Sequence, residues 1–168
     1  MSSASSDKSA VPDQLLREAE RHEERGDLKR AFRCLLAGAQ LGDSGCQLNL
    51  GNFYASGKGV RRNLKRAANW YKEAYKNGSS SGALNLAIDR RNEGNIRSAV
   101  IWFKKAIALK DGEACVELAK IYNAQKGGQN AAEKLLRRAL RFNKDFISVA
   151  GREEAESLLR ELGEKKPR

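Results

Sequence analysis

GCQLNLGNFYASGKGVRRNLKRAANWYKEAYKNG, residues 45–78, reads as two helices joined by a glycine-marked turn. Cys46, Leu50, Gly51 and Tyr54 recur at helical spacing along the first helix, and Leu64, Ala67, Trp70, Tyr71, Ala74 and Tyr75 along the second. Between them, Gly57 suits the left-handed residue that ends a helix, and Asn63 suits the cap of the next. Gly51 has no Cβ, so a neighbouring helix is expected to pack close against it.

The same pattern recurs on either side. Residues 81–87, SGALNLA, repeat residues 45–51, GCQLNLG, 36 positions later, a period typical of helical repeats. Ala31, Ala67, Ala99 and Ala132 register four second helices, with turns at Gly26-Asp27, Gly57 to Asn63, Gly94-Asn95 and Gly127-Gly128. A helix is predicted from behind Asp13 to about Arg25, with Asp13 as its cap, and another from Asp27 to near Gly42. A last helix is predicted over about 146–162, ended by Gly163, with Ala155, Leu158, Leu159 and Leu162 on one face. It reads as the polar-backed cap a solenoid needs. The domain plan is a polar, disordered segment over 1–12, a repeat array over 13–142, and a capping helix with a charged tail over 143–168.

Residues 45–78 resemble the Sel1-like repeat, a relative of the tetratricopeptide repeat. The matching residues are Leu50-Gly51, Tyr54, Gly57-x-Gly59-Val60, Ala67, Trp70-Tyr71, Ala74 and Gly78. Asn63 stands where the family usually has Asp, and Tyr75 where a second Ala is usual. The first hairpin looks more like a tetratricopeptide unit, because its turn lacks the GxGV insertion. The resemblance implies a right-handed, all-α solenoid, here of four helical hairpins plus a C-terminal capping helix, that binds proteins. It implies no reaction. Small bacterial Sel1-like proteins include some that bind and inactivate a toxin, so an adaptor and a dedicated neutralising (immunity-type) partner are the two expected versions.

A net charge of +11 sits unevenly along the 168 residues. Positions 1–60 hold eight Lys/Arg and eight Asp/Glu, positions 61–110 hold twelve and three, and positions 111–168 hold twelve and ten. A solvated surface is the plain account of the middle block. The functional account is a docking edge for an acidic protein, built from Arg61, Arg62, Lys65, Arg66, Arg90 and Arg91, with Lys104 and Lys105 on an outer face. Arg61 to Arg66 lie at a helix start, where cations oppose the dipole. Binding of RNA or another polyanion through the same block is the alternative from a different class. Trp70 and Trp102 are expected in the core, since they share one helical register with Tyr71 and Phe103 beside them.

No residue pattern supports catalysis. His22, the only histidine, lies among Glu20, Arg21, Glu23 and Glu24, and nothing in the spacing brings it to a cysteine. Cys34, Cys46 and Cys115 form no CxxC pair or metal spacing and read as small core residues. Gly57-x-Gly59 lacks the strand and further glycine of a phosphate loop. No cofactor, metal or membrane span is expected. The first thirteen residues have no apolar core of a secretory signal, so the expected setting is a reducing cytoplasm, with a monomer when alone. Solenoids bind through the face lined by their first helices. There Asn49 and Asn85 are equivalent and Glu117 is near the same register, candidates for gripping a partner's backbone.

Overall fold

The computed structural model describes residues 10–164. Among them are nine α-helices and no strand: α1 (Ala10–Glu24), α2 (Leu28–Gln40), α3 (Ser44–Ser56), α4 (Leu64–Lys76), α5 (Ser80–Asn92), α6 (Ile96–Ala108), α7 (Gly112–Asn123), α8 (Gln129–Leu140) and α9 (Val149–Glu164). This is an all-α helical-repeat fold of the solenoid type. The chain divides into two units, one ending at Gly82 and one beginning at Ala83. In the first, α1 packs on α2, α2 on α3 and α3 on α4; in the second, α7 packs on α6, α8 and α9.

Short polar side chains set where the helices begin. Asp27, Asn63 and Asn95 each accept a hydrogen bond from the N–H three residues on, at 3.2, 3.0 and 3.1 Å, and so open α2, α4 and α6. Asp43, Ser79, Asp111 and Ser148 do the same for α3, α5, α7 and α9, at 2.6, 3.2, 2.9 and 3.0 Å. These caps align the first helices residue by residue, and Glu117 falls at the register of Asn49 and Asn85. The same alignment makes α9 a further first helix, with Glu154 at that register.

Burial follows the second-helix register. Ala31, Ala67, Ala99 and Ala132 are fully buried, and four residues later Leu35, Tyr71, Phe103 and Leu136 are buried too. Small residues at the first position let the neighbouring backbone approach, and large ones at the second fill the gap between helices. Gly51 serves the same purpose on α3: a Cβ there would stand 2.5 Å from the Tyr71 ring, so only glycine admits it. Tyr71 then donates its hydroxyl to Asn52 Oδ1 at 2.9 Å. Gly57 takes the left-handed conformation at φ 79° and ends α3 as expected.

Four sequence expectations need correction. Trp70 and Trp102 are half-buried rather than in the core. They stand one residue before Tyr71 and Phe103, about 100° around the helix, at the register also held by Cys34 and Leu135. Asp13 lies inside the first turn of α1, which already includes Ala10 to Pro12; proline fits there because a first-turn N–H needs no helical partner. The last helix starts at Val149, not Phe146, because Ser148 caps it and Phe146 gives its carbonyl to the Gly112 N–H at 2.6 Å. Gly163 is helical and does not end it. Residues 1–9 of the expected disordered segment, and 165–168 of the charged tail, lie outside the described residues.

Candidate functional site

A groove of about 480 Å³ opens on α3 within the first unit. Asn49, Asn52 and Ser56, spaced for one helix face, form one wall; Tyr71 and Phe53 lie at its base, and Glu23 and Lys58 stand at its edge. Lys58 Nζ lies 2.6 Å from Glu23 Oε1, an ion pair that ties the turn after α3 to the end of α1. Asn52 is held by Tyr71, and Ser56 donates to the Asn52 carbonyl at 2.8 Å. Asn49 has no side-chain hydrogen bond among the described residues, so its amide keeps both a donor and an acceptor for a ligand. Its lining mixes the Asn49 and Asn52 amides and the Ser56 hydroxyl with the Phe53 and Tyr71 rings, which suits a peptide backbone flanked by short side chains.

The other two members of the expected row are placed differently. Asn85 is half-buried and already engaged in an interaction. Glu117 is the centre of a charge network on the first helices of the second unit. It pairs with Arg91 and with Lys120 at 2.8 Å, and Lys120 continues to Glu154 at 2.6 Å. Burial alone would push the Glu117 carboxyl upward, but the hydrogen bonds and charges of Lys120 and Arg91 outweigh it and hold the group below the usual carboxylate range. Burial likewise disfavours the Lys120 ammonium, and the two glutamates reverse that and raise it.

A carboxyl depressed in the folded chain stabilises it above the unfolded pKa, and that stability is lost as pH falls through the folded value. Thermal unfolding between pH 6 and pH 3 is expected to be steeper in pH for the wild type than for Glu117→Gln. At neutral pH the substitution is expected to cost about 1 kcal/mol, discounted because Arg91 and Lys120 are each about one-third exposed. Parallel curves for the two proteins would remove Glu117 from the network.

The basic block is not one free patch. Arg61 and Lys65 are exposed. Arg62 Nε donates to the Ala55 carbonyl at 3.0 Å, closing the turn after α3. Arg66 lies over the Tyr54 ring, 5.6 Å from its centroid, and reaches the Tyr54 hydroxyl at 3.3 Å. Arg90 pairs with Glu93 at 2.6 Å, and Arg91 with Glu117. Lys104 is exposed, while Lys105 sits 3.9 Å above the Trp102 ring. The cations over Tyr54 and Trp102 occupy faces that a stacking base would need.

Nothing in the thiols supports nucleophilic chemistry. Burial pushes Cys46 up to about 12 and Cys115 up to about 11, and it raises Cys34 as well, so all three are protonated thiols at neutral pH. Cys46 packs its sulfur against Gly38 of α2. All three are free, and no group of His, Cys, Asp or Glu among the described residues is arranged to hold a metal. No helix among the described residues is long and apolar enough to cross a membrane.

Hairpins with small-residue anchors, capped at fixed register, define a repeat protein of the tetratricopeptide-like class. The sequence model of the Sel1 repeat matches residues 23–43, 44–79 and 84–111, just over half of the chain. The chain belongs to the Sel1 repeat family. The first hairpin, expected to look less like a Sel1 unit, is matched through its turn and α2, while the fourth hairpin lies outside the match.

Solved structures agree on the fold. A Sel1 repeat protein from Oxalobacter formigenes superposes with a TM-score of 0.70 at 16% identity, covering 93% of this chain and 74% of that one. A protective antigen of uropathogenic Escherichia coli, c5321, gives 0.67 at 15% identity; the match covers 93% of this chain but 38% of the antigen. A MamA protein gives 0.58 at 18% identity, covering 92% and 87%. At these identities the likeness is one of fold. A comparison with curated proteins found no match.

Proposed function

We propose that this protein is a non-catalytic adaptor that holds a partner protein through the α3 groove. Sel1 repeat proteins generally serve protein–protein interaction and are typically scaffolds without an enzymatic centre. The observation that carries the assignment to the groove is the unengaged amide of Asn49 in a wall it shares with Asn52 and Ser56. A backbone segment laid along α3 would give its N–H and C=O to Asn49. The setting proposed is a reducing cytoplasm, which suits three free thiols.

The test uses a photo-crosslinking residue at Ser56 of the full chain, expressed in its host. A partner crosslinked there is expected to disappear with Asn49→Ala, with binding weakened by about fivefold to tenfold, the loss of one or two hydrogen bonds. Retained crosslinking and unchanged affinity would refute the groove. An adaptor stays bound without changing its partner's activity; if the partner is an enzyme or toxin that the complex silences, the neutralising version replaces the adaptor.

A further inference from the structure

The second unit carries another groove, of different chemistry. It measures about 340 Å³ and runs between α6, α7 and α8. Its floor is apolar: Ile107, Leu118, Tyr122 and Leu135, with the exposed Ala108 beside them. Its rim is cationic. Lys104 and Arg138 border it, both exposed, and Arg138 reaches across to the Ile107 carbonyl at 3.4 Å. Along their whole lengths α6 and α8 also carry Arg97, Lys105, Lys134 and Arg137 against the single acid Glu133, which pairs with Arg137 at 3.0 Å.

The first unit has a groove at the corresponding register, about 330 Å³, with Tyr54 for Tyr122 and Trp70 for Leu135. There Glu73 stands where the second unit has Arg138. The position that makes the second groove wholly cationic is therefore acidic in the first. The basic residues of the chain are also better sorted by helix than by sequence block: in the second unit α9 carries five acids and two arginines, while α6 and α8 carry the cations named above.

We propose that the α6–α8 groove is a second docking site, for an acidic amphipathic segment of a partner protein. Such a segment would place an apolar side chain over Ile107 and Leu135 and set carboxylates against Lys104 and Arg138. An apolar floor gains nothing from a phosphate chain, and nucleic-acid affinity comes mainly from phosphate contacts. A buried apolar anchor inside a charged rim is instead the arrangement of a protein interface. This site does not depend on the α3 groove, and together they would give the adaptor two docking sites.

The experiment uses three probes of equal charge on the full chain: a helical peptide with leucines on one face and glutamates on the rest, polyglutamate, and oligouridylate. The peptide is expected to bind about tenfold tighter than polyglutamate, the scale of one buried leucine, and tighter than oligouridylate. Lys104→Glu/Arg138→Glu is expected to abolish that advantage. Lys126→Glu/Lys144→Glu, the same charge change in exposed turns, is expected to leave it. If the groove variant melts early, amide shifts in the wild type decide: the peptide must perturb Ala108, Tyr122 and Leu135. Equal losses in both variants would reduce the effect to net charge. Preference for oligouridylate would make the surface a nucleic-acid site, and no preference over polyglutamate would leave the apolar floor without a role. Each of these overturns the proposal.

Discussion

Phe103→Ala is expected to lower the unfolding free energy by about 3–5 kcal/mol, the range for a truncated core aromatic. Phe103 is the largest fully buried side chain among the described residues. It stands at the register of Leu35, Tyr71 and Leu136, where each second helix meets its neighbours. Truncation leaves a cavity that Ala99 and Ala106, both small and fully buried, cannot fill. Stability in a repeat array is a sum of neighbour terms, so the loss should spread to the adjoining hairpin. Trp102→Ala, one residue away and half-buried, is expected to cost about half as much or less, since less surface is lost from contact. Urea unfolding of the two variants checks this. A larger loss for Trp102 would mean that the second-helix register is shifted by one residue.

The other large effect is expected at Gly59. Its φ of 62° is left-handed, and a Cβ there would stand 2.5 Å from the Leu28 carbonyl oxygen and 2.7 Å from its carbon. Both atoms are backbone at the start of α2, so they yield only if the helix moves. Gly59→Val is expected to cost at least about 2–3 kcal/mol, from the left-handed penalty and the displaced helix together. Gly26→Asn is the comparison, with φ 75° but open space around the added atoms; asparagine tolerates that conformation, and a loss under about 1 kcal/mol is expected. Similar melting temperatures for the two variants would show that the turn does not press on α2.

Most of the fold is legible in the sequence because its signals are local. Caps such as Asp27 and Asn63, the left-handed Gly57 and the alanine anchors each act within a few residues, and the helices begin where those signals stand. Trp70 and Trp102 were not legible at the same level. Periodicity places a residue on a helix face to within about a third of a turn, and the boundary between Tyr71 and Trp70 is finer than that. The site was legible in part. Asn49 does line a groove, but only tertiary packing reveals that Arg91 and Lys120 occupy Glu117. The block of charge at 61–110 misled for a related reason: linear counting joins cations whose partners lie on other helices, such as Arg91, to cations that face solvent, such as Lys104.

The turn between α3 and α4 is longer than the turns of the first and third hairpins by the GxGV insertion, and it is not slack. Gly59 rests on the Leu28 backbone, Lys58 grips Glu23, and Arg62 folds back on Ala55. In mechanical terms the insertion is a strut that braces the second hairpin against the first. A plain array of hairpins bends at every junction, because each touches the next only through helix faces. Here the junction of the first two is triangulated, so the α3 groove would keep its width while a bound segment pulls on it.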